Sequence, residues 1–167
     1  LLALRDKIYA MADGHVFSVS EKDKELSTYS KIEGWSEHTL QCIAYSHQTD
    51  LMINVYQNSN IDLVASDGTV YNLPDVKDKN WAVDKTVYQI YVEGDKAYLA
   101  CGFGVVVLNL TKKEIEDTYI VGEAASKVPI YGFTSDDERF YALSDDAIFT
   151  APKQGANLLD FHVWHQS

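Results

Sequence analysis

Two histidines, His162 and His165 in HVWH, stand three residues apart. That spacing puts both imidazoles on one face of a helix but on opposite faces of a strand. A metal pair would need further ligands, and no Cys or carboxylate cluster sits at ligand spacing, so exposed histidines of a strand or loop are expected. The acidic groups Asp136-Asp137-Glu138 and Asp145-Asp146 lack the alternating oxygen ligands and Gly-assisted turn of a calcium loop, and read as solvated hairpin turns. Cys42 has His38 and His47 near it in sequence, but strand alternation brings neither beside it. Both Cys42 and Cys101 lie in apolar runs, which predicts buried free thiols rather than nucleophiles; their spacing cannot establish a disulfide. Gly102-Phe103-Gly104 is too short for a phosphate loop and sits between strands. Asn109-Leu110-Thr111 matches the glycosylation triplet at the end of an apolar strand, where chance is the better reading. No catalytic residue, no metal ligand and no cofactor-binding residue is therefore assigned. Trp35 and Trp81, each in a polar connection, are the candidates for contact with a partner or a sugar, with capping of the ring as the plainer alternative.

These residues need a scaffold, and the composition says which kind. The chain has 167 residues, enough for one domain with a sizeable core. Its formal charge of -11, spread through turns, argues against a nucleic-acid partner, which would need clustered Lys and Arg. No apolar run reaches the length of a membrane helix, so direct membrane insertion is not expected, and no signal-peptide pattern is present. Eleven Tyr and six Phe against three Pro suit sheets, whose cross-strand pairs favour aromatic side chains. The chain begins at Leu1 without an initiator Met, so it is expected to be a piece of a longer protein.

Turn signals divide the chain into short strands. Ile8 to Ala12, His15 to Ser20 and Leu26 to Ile32 form one group, with Asp13-Gly14 at the first hairpin. Leu40 to Tyr45, Leu51 to Tyr56, Ile61 to Ala65 and Thr69 to Leu73 form the second, followed by a polar connection, Asp75 to Lys85, where a short helix fits. Val87 to Val92, Ala97 to Ala100, Val105 to Leu110 and Glu114 to Tyr119 make the third, with Gly102 and Gly104 expected to supply positive φ. Val128 to Phe133, Arg139 to Leu143 and Ala147 to Ala151 belong to the fourth, and Leu158 to Trp164 is its last strand or the start of a further connection.

Laid on one another by their second strands, the groups place Tyr9, Met52, Tyr98 and Tyr141 in equivalent positions. They recur at roughly 40 to 50 residues with about four strands per period, the mark of β-propeller blades. The fold class is thus all-β: about four four-stranded antiparallel meanders forming one partial β-propeller domain over 1–167, with approximate blades at 1–34, 35–85, 86–125 and 126–167. Blade one has little inner strand, since only Leu1 to Leu4 precede it. A larger ring of roughly seven blades is expected, and alone the open edges would favour self-association.

The segments NIDLVASDGTVYNLPDVKDKN (60–80), AYLACGFGVVVLNLTKKEIEDTYIVG (97–122) and LLDFHVW (158–164), with IYAMADGHVFSVS near the start, resemble the N-terminal β-propeller of the PorZ family. That family belongs to the type IX secretion system of Bacteroidetes. The resemblance implies a non-enzymatic scaffold at the cell envelope, at the outer-membrane periphery or cell surface. Its implied partners are a sortase-like cysteine peptidase and outer-membrane β-barrel proteins, and the implied task is attachment of secreted cargo to a surface lipopolysaccharide. The lipopolysaccharide belongs to a C-terminal domain absent from this sequence, so no ligand residue carries over, and the peptidase is a separate protein, so no catalytic residue does. The alternative is a glycan-sensing periplasmic propeller of the kind found in hybrid two-component regulators.

Overall fold

A computed structural model of the chain describes residues 2–4, 6–29, 31, 34–37, 39–80, 82–122 and 126–167. Four four-stranded antiparallel sheets follow one another, each a meander in chain order. The first contains β1 (Leu2–Leu4), β2 (Lys7–Ala12), β3 (His15–Ser20) and β4 (Leu26–Tyr29). The second contains β5 (Leu40–Ser46), β6 (Leu51–Tyr56), β7 (Ile61–Ala65) and β8 (Val70–Leu73), and a single helical turn, α1 (Asp75–Asp78), occupies the connection after it. The third contains β9 (Val87–Glu93), β10 (Lys96–Cys101), β11 (Gly104–Asn109) and β12 (Glu114–Tyr119). The fourth contains β13 (Gly132–Ser135), β14 (Arg139–Leu143), β15 (Ile148–Pro152) and β16 (His165–Gln166). The inner strands lie side by side, β5 against β9 and β9 against β13, as blades around an axis do. Among the described residues no helix is long and apolar enough to cross a membrane.

Because side chains alternate along a strand, each sheet has two faces, and the core divides into one apolar layer per junction. Between blades one and two lie Val16, Met52, Tyr56 and Val64. Between two and three lie Ile53, Leu63, Leu99 and Leu108, all fully buried. Burial on this scale is worth about 1.5–3 kcal/mol per large side chain. Between three and four the layer is aromatic, with Tyr98 stacked on Phe133 at 5.0 Å and Phe133 on Phe140 at 5.4 Å. The outward faces of the first and fourth sheets remain exposed at Ile8, Leu26, Leu143 and Ile148.

This layering corrects the sequence alignment of the repeats. Tyr9, Tyr98 and Tyr141 are each third in their second strands, and Tyr9 and Tyr98 face the following blade. Met52 is second in β6 and packs instead against the preceding blade; Ile53 holds the place equivalent to Tyr98. With a side-chain period of two, a slip of one residue reverses the face.

Four local expectations also change. β4 ends at Tyr29 rather than Ile32, which itself lies outside the described residues. The strand expected from Val128 begins at Gly132, because Ile130 donates its N–H to the carbonyl of Cys101 in the preceding blade and cannot continue the ladder of its own. Leu158 to Trp164 is not a strand: Asp160 accepts a hydrogen bond from the N–H of His162 and caps a 3₁₀ turn, Phe161–Val163, leaving only β16 to close the sheet. Gly104 has φ +134°, as a glycine-only connection requires, and the Tyr119 carbonyl lies 2.2 Å from where a Cβ would stand. Gly102 does not use positive φ; it is needed because the Asp84 carbonyl approaches within 2.5 Å of the same position.

Candidate functional site

The described residues that concentrate polar chemistry lie in the seams between blades. In the seam of blades three and four, Lys153 follows β15 and extends its ammonium 5.3 Å from the Phe140 ring centroid. It pairs with Glu93 Oε1 at 2.6 Å and donates to Ser135 Oγ at 3.0 Å and the Asp136 carbonyl at 2.9 Å. A cation resting on an aromatic face while paired to a carboxylate closes this seam where the apolar layer ends.

In the seam of blades one and two, the central group is Asp62 on β7, wholly buried. Its Oδ2 accepts from the Ser36 N–H at 2.8 Å and the Tyr56 hydroxyl at 2.7 Å, and its Oδ1 from the Ser36 hydroxyl at 2.6 Å and Asn72 Nδ2 at 2.8 Å. One carboxylate thereby ties the inter-blade connection to three elements of blade two. Burial, then Asp62, pushes the Tyr56 phenol far above its ordinary range. Next in the same connection, Glu37 bridges Lys77 at 2.7 Å and Lys31 at 3.3 Å. The hydrogen bond from Lys77 holds the Glu37 carboxyl down to about 2.

Trp35 stands in this connection too, but it is 6% exposed rather than presented to solvent. Its ring stacks on Tyr29 at 5.1 Å and 16°, and its neighbours are the buried residues of the seam. A tryptophan in a polar stretch is drawn into the junction because two sheets meet there, which sequence neighbours do not reveal. It lines a cavity of about 210 Å³ between the two blades, together with Tyr9, Tyr45 and Ser66. Trp81 lies outside the described residues.

At the strand ends where β9 and β13 begin, an aromatic pair, half-buried Tyr88 and exposed Tyr131, joins blades three and four. Tyr88 and Tyr131 have ring centroids 4.7 Å apart. Tyr88 donates to Asp84 at 2.7 Å, which pushes its phenol up to about 12, and Tyr131 donates to Asp145 at 3.3 Å.

The other chemistry-bearing residues take structural places. His162 is exposed and bonds Asp160 through Nδ1 at 2.7 Å, while His165 is exposed on β16. Asp136 Oδ1 accepts from the N–H groups of Glu138 and Arg139, and Oδ2 from the Tyr141 hydroxyl at 2.6 Å, so this carboxylate organises a hairpin turn. Cys42 and Cys101 are both free; Cys101 is buried as expected, whereas Cys42, on the edge strand β5, is only half-buried, and desolvation pushes each thiol up to about 12. His38 lies outside the described residues. Asn109 is 7% exposed with its Oδ1 accepting from the Lys112 N–H, a turn-capping role. Among the described residues no three His, Cys, Asp or Glu converge as metal ligands. Sequence reasoning missed Asp62 and Lys153. The usable signal for both was position, an acid inside the apolar run IDLVA and a lysine directly after the strand IFTAP.

Comparison with known proteins places this arrangement. No curated protein matches the sequence. Over 99% of its length the chain superposes on PorZ, described as an essential bacterial surface component of the type-IX secretion system of Porphyromonas gingivalis, with a TM-score of 0.88 and 30% identity. The chain spans 22% of that protein's length. More distant likeness shows the fold alone. The extracellular domain of a hybrid two component system from B. thetaiotaomicron gives a TM-score of 0.68 at 14% identity over 97% of this chain and 22% of that one. The dihydro-heme d1 dehydrogenase NirN gives 0.62 at 11% over 92% of this chain and 32% of that one. The family model for the type IX secretion PorZ N-terminal β-propeller domain matches residues 8–165, and the chain therefore belongs to the PorZ N-terminal β-propeller family.

Proposed function

We propose that this propeller is a non-enzymatic scaffold of a type IX secretion machine at the cell surface. It positions a sortase-like peptidase and outer-membrane barrel proteins so that secreted cargo is attached to the surface. The family match over residues 8–165 carries this reading. Its mechanism is positioning: hairpin loops gather on the two ends of rigid, packed blades, which suits recognition without chemistry from the blades themselves. The exposed outer faces of the first and fourth sheets fit a place within a larger ring, flanked by further blades. Deleting the propeller from the parent gene is expected to release cargo unattached into the medium, and normal attachment would overturn the proposal.

The competing sensor reading has the fold likeness to two component extracellular domains in its favour. A membrane-spanning helix and a kinase in the same gene would support it, whereas a small β-rich C-terminal domain would support the scaffold.

A further inference from the structure

The blades can be compared with one another at the residue that follows their third strand. Register pairs Leu51 with Ala65, Lys96 with Asn109 and Arg139 with Pro152, so Ser66, Leu110 and Lys153 hold equivalent places. Each continues the alternation of a face turned toward the preceding blade, after Val64, Leu108 and Ala151 respectively. Leu110 is fully buried in the seam of blades two and three and leaves an open groove beside it, lined by Leu51, Tyr71 and Lys113. Lys153 closes the seam of blades three and four through Glu93 and the Phe140 face. Ser66 is shorter than either, and the seam of blades one and two holds a more enclosed cavity of about 210 Å³.

We propose that this cavity binds a neutral sugar ring. Its walls are aromatic: the stacked pair of Tyr29 and Trp35 is joined by Tyr9 and Tyr45, giving flat apolar surfaces for the C–H face of a pyranose. Its polar lining is mixed in sign. The carboxylates of Asp6 and Asp50 are acceptors, the Lys7 ammonium is a donor, and the Ser66 hydroxyl serves as either. Tyr45 already donates to Asp50, which fixes that carboxylate at the rim. Two carboxylates discourage an anion, Lys7 offsets one of them, and alternating donors and acceptors beside aromatic faces match ring hydroxyls. A cavity of this size takes one ring rather than an extended chain.

The site is tested on the full-length protein by saturation-transfer NMR. The probes are free glucose, galactose, mannose and N-acetylglucosamine, with methylguanidinium as a cationic comparison. At least one sugar should receive saturation, and Ser66→Leu, which installs the side chain that Leu110 supplies in the next seam, should abolish it while circular dichroism and melting stay unchanged. Asp6→Asn, which keeps the shape of the exposed rim, should weaken binding about tenfold, equivalent to roughly 1.4 kcal/mol, and decides the matter if the Ser66 variant fails to fold. No transfer to any sugar, transfer unaffected by both substitutions, or transfer to methylguanidinium in place of the sugars would overturn the proposal. Binding is read directly, so the result stands apart from the outcome of the cargo-attachment experiment.

Discussion

Replacing Asp62 by Asn probes what holds the first two blades together. The carboxylate accepts four hydrogen bonds, two on each oxygen, and is wholly buried. An amide of the same shape turns one oxygen into a donor, so whichever way it is oriented, two of the four donors face another donor. On the Oδ2 side these would be the fixed Ser36 N–H and the Tyr56 hydroxyl; on the Oδ1 side, the Ser36 hydroxyl and Asn72 Nδ2. Leaving a buried group unpaired costs about 1–3 kcal/mol, and hydroxyls can rotate toward other acceptors, so the expected loss is about 2–4 kcal/mol. Urea unfolding should show it as a lower midpoint at unchanged slope. Asp67→Asn, at an exposed turn, should stay within about 0.5 kcal/mol. A change below about 0.5 kcal/mol for Asp62→Asn would refute the claim that this carboxylate fastens the connection.

Gly104→Ala combines a φ of +134° with a Tyr119 carbonyl at 2.2 Å, so a loss of at least about 2 kcal/mol is expected in thermal or urea unfolding. Lys77→Met removes the group that holds Glu37 down to about 2, so its carboxyl should titrate nearer its ordinary value in NMR. Because the folded value is depressed, this pair's contribution is present above the ordinary carboxylate range and fades as pH falls toward 2; in Lys77→Met that part of the acid sensitivity should shrink. The Cys101 thiol should react with a disulfide reagent at neutral pH far more slowly in the native protein than in urea, and equal rates would contradict its burial.

The blade architecture was legible because its signals are local. Asp-Gly turns, alternating strands and a recurring period survive without tertiary information, and most strand limits agree to within a residue or two. What escaped was set by contacts between blades. Ile130 leaves its strand to bond Cys101 across a seam, and Met52 falls on the opposite face from its apparent counterparts because strand lengths alone do not set register. Trp35 reads as a surface aromatic until the second sheet is brought over it, and Asp62 reads as a misplaced acid until Ser36, Tyr56 and Asn72 converge on it. The cavity beside Ser66 was unreadable for the same reason, since its walls come from both blades, Tyr9 and Tyr29 from the first and Tyr45 and Met52 from the second.

The scaffold role is tested most directly by affinity capture of the tagged parent protein from gently solubilised envelopes, with identification of what co-purifies. The account predicts a sortase-like peptidase together with outer-membrane barrel proteins, lost when the propeller is deleted. Recovery of the parent protein alone, under conditions that preserve other envelope complexes, would contradict it.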